Sequence, residues 1–126
     1  MNPVLRWAGS KRYLASALVP YFPEEFNRYV EPFCGSGSLF FLLQPKRAWL
    51  ADINHELIEA FATLRSNPRK VSAMLEGLPA DEDAYYVVRS FDPTEINRLE
   101  RSARFFYLNR YCFNGLYRTK RAGNFN

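Results

Sequence analysis

Two short apolar stretches, at 28–32 and 47–52, each end in polar chemistry and read as buried strands. Between them, "SGSLFFLLQ" suits a buried helix that begins at a glycine loop. A strand, a helix and a second strand joined so briefly predict a parallel crossover, and hence an α/β sheet. Upstream, Ser10 can cap a helix through Leu14, Ala17 and Leu18 that stops near Pro20. Downstream, Asn54 can cap a helix with Leu57, Ile58, Phe61 and Leu64 on one face. The stretch 68–78 follows, with Val71, Met74, Leu75 and Leu78 at helical spacing.

From about Pro79 the pattern changes. "DEDAYYVVRS" predicts a short helix with an acidic start. "DPTE" then offers Asp92 as a cap, Pro93 at the first helical position and Glu95 as the capping-box partner. The long helix predicted from there turns Ile96, Leu99, Ala103 and Phe106 inward and runs towards Cys112. After it, "NGLYRTKRAGNFN" combines turn residues, alternation and positive charge, like one arm of a hairpin. There is no internal repeat and no low-complexity linker.

At 126 residues and 48% hydrophobic content, the chain can bury a core and suits one compact domain or part of a larger one. Charge is uneven. Residues 98–126 carry Arg98, Arg101, Arg104, Arg110, Arg118, Lys120 and Arg121 against Glu100, a balance of +6, whereas the first 97 residues balance at −2. A basic end on a near-neutral body fits either a phosphate-binding surface or a solvated helix face. Cys34 and Cys112 have no metal-ligand spacing, and the lone His55 completes no motif, so two free thiols and no metal are expected. No leader-like apolar stretch and no run near ~18 apolar residues occurs. A soluble, cytoplasmic protein with no membrane partner is the resulting expectation.

The chemistry concentrates in "YVEPFCGSGSLFFLL", residues 29–43. Glycines allow positive φ and close backbone approach, and a loop between strand and helix offers amide donors at the helix start. In a dinucleotide-binding fold, the next strand ends in a carboxylate that accepts from ribose hydroxyls about 20 residues on. Asp52, in "WLADIN", ends that strand 17 residues past Gly35. The Gly-Ser-Gly-Ser pattern is not the full pyrophosphate fingerprint, and no P-loop lysine follows. A ligand with adenosine but without pyrophosphate, such as S-adenosylmethionine, fits this spacing; a tight turn followed by a helix cap is the plain alternative.

Four stretches together resemble the Dam-type (D12 class) adenine-specific DNA methyltransferases. "LRWAGSKR" resembles the family's N-terminal motif, with Ser10 where the family usually has glycine. "VEPFCGSGSLFF" and "LADINHELI" resemble its first and second cofactor motifs. "FFYLNRYCFNGLYR" is similar to the segment that enters its DNA-recognition hairpin. The resemblance implies a Rossmann-like S-adenosylmethionine-dependent methyltransferase fold, incomplete here, with a mainly helical DNA-recognition segment. It divides the chain into a cofactor-binding part, 1–78, and a target-recognition part, 79–126. It implies S-adenosylmethionine as cofactor, held by Trp7, Lys11, Pro32, Phe33, Gly35, Gly37 and Asp52, with Asp52 on the ribose. Duplex DNA is the implied partner, met by Arg6, Phe113, Asn114, Leu116, Arg118, Lys120 and Arg121. An arginine there can address guanine, Leu116 can pack on a thymine methyl, and Phe113 can fill the space of a flipped base.

The family's catalytic motif, Asp-Pro-Pro-Tyr, lies downstream of the recognition hairpin. None of the eight prolines here is adjacent to another, and Asp92-Pro93 runs into Thr94-Glu95. No catalytic residue is therefore assigned. The expected identity is the N-terminal portion of a site-specific methyltransferase of the DNA-methylation and restriction–modification kind. A catalytically inactive DNA-binding fragment and an RNA adenine methyltransferase remain as alternatives. An exposed sheet edge predicts self-association of a truncated chain.

Overall fold

The computed structural model describes residues 3–112. The chain forms two compact units, Met1–Ile53 and Asn54–Asn126. The first carries helix α1 (Arg12–Leu18), a 3-10 turn (Val19–Tyr21), strand β1 (Tyr29–Glu31), helix α2 (Ser38–Leu43) and strand β2 (Ala48–Leu50). The strands pair in parallel with Tyr29 opposite Ala48, Val30 opposite Trp49 and Glu31 opposite Leu50. The expected strand–helix–strand crossover is present, with strands shorter than the apolar stretches that announce them.

Burial departs from expectation. The strands bury one face only, because a period of two sends alternate side chains to opposite sides. Tyr29 joins Ala15 and Leu39 in a core flanked by Leu18, Phe22, Phe40, Leu43, Ala48 and Leu50. Val30 and Trp49 lie on the other face at 55% and 62% exposure, and the Arg28 guanidinium stands 4.1 Å above the Trp49 ring as a cation–π partner.

Ser10 does not cap α1. Lys11 occupies that position without a side-chain bond; the Ser10 hydroxyl accepts a long bond from Arg12 N, at 3.3 Å, and also meets the hydroxyls of Ser36 and Ser38, each at 2.9 Å. Ala15 is the buried residue of this helix, while Leu14 and Ala17 face outward. Pro20 sits in the 3-10 turn that ends it, as its missing N–H requires.

The second unit holds α3 (His55–Ser66), α4 (Pro68–Glu76), α5 (Glu82–Ser90) and α6 (Arg98–Tyr111). Asn54 caps α3 as expected, its side chain accepting from Leu57 N at 3.0 Å. Asp81 does the same for α5 through Ala84 N at 2.8 Å. Helix α6 packs against α3, α4 and α5. Val88, Tyr107 and Leu108 form a core with Leu75, Leu78 and Tyr85. The packing unit thus begins at Asn54, although the change in composition falls near Pro79.

The start of α6 corrects the sequence reading. Asn97 is the cap, with Glu100 N donating to its side chain and Asn97 N donating to the Glu100 carboxylate, a reciprocal capping box. Asp92 instead closes a separate turn, accepting from Thr94 N and Thr94 Oγ1, which holds its carboxyl below the usual range. The inward face shifts accordingly: Phe105 is fully buried and Phe106 only partly.

Asn97→Ala should therefore cost about 1 kcal/mol of stability in chemical denaturation. Leu108→Ala, at a site with no exposure, should cost about 2–5 kcal/mol. Asp92→Ala should leave the helical circular-dichroism signal intact; loss of helix there would return the cap to Asp92.

Candidate functional site

The loop after β1 and the turn before α1 face each other within the first unit. Ser10 N donates to Trp7 O at 3.1 Å, closing a turn whose third residue, Gly9, has φ +71°. In the loop, Gly37 N donates to Cys34 O at 2.8 Å, and Gly35 and Gly37 take φ values of +49° and +66°. Gly35 is required twice. Its backbone is left-handed, and a Cβ there would lie 2.8 Å from Trp7 Cδ1, so the indole occupies the space any side chain would need.

Asp52, just past β2, reaches back to this loop. Its Oδ2 accepts from Gly35 N at 2.9 Å. The loop amides expected as free donors are thus engaged within the protein: Cys34 N goes to Ala51 O, Gly35 N to Asp52 and Gly37 N to Cys34 O. A loop with these amides committed does not offer the cradle that a pyrophosphate needs. This agrees with the reading of the glycine spacing.

A pocket of about 120 Å³ opens between these segments, lined among others by Trp7, Lys11, Glu31, Phe33, Gly35 and Asp52. Small-molecule sites usually enclose ~300–1,000 Å³, so this pocket fits one end of a cofactor. Of the residues expected to bind cofactor, Trp7, Lys11, Phe33, Gly35 and Asp52 come together here. Gly37 sits behind them as the N-cap of α2, and Pro32 is exposed outside the pocket lining. Arg6 is exposed beside Trp7. Phe113, Asn114, Leu116, Arg118, Lys120 and Arg121 lie outside the described residues.

Sequence reasoning missed Glu31 and the serines. Glu31 is 6% exposed at the end of β1, accepts from Tyr29 Oη at 2.9 Å and faces Lys11 Nζ at 3.6 Å. An acid inside an otherwise apolar strand was the available signal. Ser10, Ser36 and Ser38 join their hydroxyls at 2.9 Å, pinning the turn to the loop. Burial, and then the bond and charge of Glu31, raise the Tyr29 phenol well above its ordinary value. Burial first, then the Asp52 and Glu31 carboxylates, push the Cys34 thiol up to about 11. Burial and these carboxylates thus disfavour the thiolate, the form a nucleophilic cysteine needs. Among the described residues no group of His, Cys, Asp or Glu could hold a metal ion, and no helix is long and apolar enough to cross a membrane.

The basic segment divides. Arg101 makes a forked pair with Glu59 at 2.8–3.2 Å and donates to Ile96 O at 2.7 Å. Arg98 Nε donates to Thr63 Oγ1 at 3.1 Å. Arg104, buried, donates to Val88 O and Arg89 O, satisfying carbonyls at the end of α5. These three cations hold helices together, while Arg110 is exposed.

The family model for D12 class N6 adenine-specific DNA methyltransferases matches residues 7–126. A type II methyltransferase of Lactococcus lactis subsp. cremoris is 35% identical over 132 residues, covering 100% of this chain and 46% of the relative. A DNA adenine methylase of Haemophilus influenzae is 37% identical, covering 99% of the chain and 46% of its own length. A DNA N-6-adenine-methyltransferase of Escherichia phage P1 is 34% identical over 98% of the chain and 17% of its own length. The chain spans about half or less of each of these relatives.

The glycine geometry yields a paired test. Gly9→Ala meets nothing within 4 Å and should cost only the left-handed strain, about 1–2 kcal/mol. Gly35→Ala adds a collision with Trp7, so it should cost more in chemical denaturation and shift the tryptophan emission. Equal costs with unchanged emission would mean that Trp7 does not press on the loop.

Proposed function

The chain belongs to the D12 class of N6 adenine-specific DNA methyltransferases, and from that premise we propose that the full-length protein methylates the exocyclic amino group of adenine in duplex DNA. Residues 1–78 supply the N-terminal part of a Rossmann-like cofactor domain, and 79–126 supply the target-recognition segment and the start of its hairpin. The observation that supports this best is the convergence of Trp7, Lys11, Gly35 and Asp52 on one pocket.

S-adenosylmethionine fits this lining and, when bound, supplies a methyl group activated on sulfonium. Its two carboxylates, Glu31 and Asp52, against one ammonium, Lys11, suit a ligand carrying positive charge. Trp7 is a flat wall against which a cofactor can lie, and Lys11 can pair with a carboxylate. A carboxylate accepts several hydrogen bonds, so Asp52 can hold Gly35 and also accept from a ribose. Arg6, Phe113, Asn114, Leu116, Arg118, Lys120 and Arg121 are the proposed contacts to DNA, with Arg118 reading a base and Lys120 and Arg121 on phosphates. No Asp-Pro-Pro-Tyr occurs in residues 1–126, so these residues alone are expected to show no methyl transfer.

Radiolabelled methyl incorporation into adenine-containing duplexes is the direct test. Absence of N6-methyladenine in the DNA, or transfer confined to RNA, would overturn the proposal. Asp52→Asn keeps an oxygen for Gly35 N but loses the charge. It should weaken S-adenosylmethionine binding about 10- to 100-fold in calorimetry, with only a small fall in melting temperature as the charge-assisted bond to Gly35 becomes a neutral one. Arg118→Ala should cost about 1–3 kcal/mol of DNA affinity and relax preference at one base pair; equal loss on every duplex would make Arg118 a phosphate contact.

A further inference from the structure

Three serine hydroxyls close on one another at the edge of the pocket. Ser10 Oγ lies 2.9 Å from Ser36 Oγ and 2.9 Å from Ser38 Oγ, and those two are themselves 2.9 Å apart. Three hydroxyls carry three protons, so a ring running in one direction gives each oxygen one donated and one accepted bond. The lone pair this leaves on Ser10 Oγ accepts from Arg12 N at 3.3 Å. Ser36 and Ser38 are 2% and 5% exposed, and all three serines line the pocket.

The ring joins segments that are far apart in the chain. Ser10 belongs to the turn that carries Trp7, whose carbonyl accepts from Ser10 N at 3.1 Å, while Ser36 belongs to the glycine loop and Ser38 opens α2. The Trp7 indole meanwhile lies on Gly35, with no room for a Cβ between them. One hydroxyl on the turn thus fixes how the indole wall stands against the loop. Ring members support one another, because removing one leaves a buried donor unmet. We propose that Ser10 is a positioning residue for the cofactor: its hydroxyl closes the ring that holds the Trp7 wall and the glycine loop as one preformed cleft. A ligand entering a preformed cleft does not have to order its walls, so more of its contact energy appears as affinity. This inference rests on the proposed use of S-adenosylmethionine and adds a residue that acts through Trp7.

Two measurements on the full-length protein test it: calorimetry with S-adenosylmethionine, and fluorine NMR of fluorotryptophan-labelled protein, with Trp7→Phe identifying the Trp7 resonance. Ser10→Ala should weaken S-adenosylmethionine about 3- to 10-fold and, in the ligand-free protein, broaden or split the Trp7 resonance. Ser10→Thr keeps a hydroxyl and should restore both the affinity and the single resonance. Ser38→Ala opens the same ring from α2 and should give a similar loss. The double variant Ser10→Ala/Ser38→Ala should then lose less than the two single losses added. Ser38→Ala and its effect on the Trp7 resonance carry the test should Ser10→Ala fail to fold. Unchanged affinity or an unchanged Trp7 resonance in Ser10→Ala, equal loss in Ser10→Ala and Ser10→Thr, or single losses that simply add would overturn the role of Ser10 while leaving the cofactor reading in place. Wild-type protein that binds no S-adenosylmethionine would overturn the cofactor reading, and this inference with it.

Discussion

The hydrogen bond from Gly35 N to the Asp52 carboxylate, 2.9 Å long, joins the loop after the first strand to the residue just past the second. The parallel pairing of β1 and β2 brings those two ends to the same edge, since parallel strands finish on the same side. With the amide held there, the loop can take its two left-handed glycines and receive the Trp7 indole against Gly35. The pocket is the space left between that indole, the loop and the Asp52 carboxylate. Asp52 therefore shapes the site, whatever else it binds.

The same site concentrates cost. Glu31 is carried into the interior by strand alternation, which places Tyr29 and Glu31 on the buried face and Val30 on the exposed one. A carboxylate so placed opposes folding unless it is paired. Among the described residues the carboxylate accepts one hydrogen bond, from Tyr29, and Lys11 supplies charge from a distance. The serine hydroxyls of Ser10, Ser36 and Ser38 offset part of such costs by satisfying one another. These groups pair with one another around the pocket, and among the described residues Glu31 Oε1 is the buried side-chain oxygen or nitrogen with no hydrogen-bond partner.

In the second unit, arginine does the work of assembly. Arg101 ties α6 to Glu59 of α3, and Arg104 finishes the carbonyls of α5. Guanidinium suits both tasks because its planar fork meets a carboxylate or several carbonyls at once. Positive charge along this helix is consequently a poor guide to where a polyanion would sit. Arg98, Arg101 and Arg104 look alike in sequence to Arg110, yet the first three are held by protein oxygen and Arg110 is exposed.

The sequence by itself determined the local and periodic features. The strand–helix–strand order, the cap at Asn54, the stop at Pro20 and the glycine loop all follow from short-range rules, and the four motif stretches sufficed for the family. It also singled out Trp7, Lys11, Phe33, Gly35 and Asp52, which do meet in one pocket. What it misjudged were choices among near-equal local options. Asp92 and Asn97 both offer a cap with an acid three residues on, and the reciprocal capping box forms at Asn97. Ser10 meets the helix start only through a long bond from Arg12 N, and its shorter contacts go to hydroxyls 26 and 28 residues away. Whether Gly35 N would be a donor to ligand or to Asp52, and whether Glu31 would be buried with one oxygen open, depended on strand pairing. No spacing rule encodes that pairing, because it brings together atoms far apart in the chain, and only the tertiary structure sets their distances.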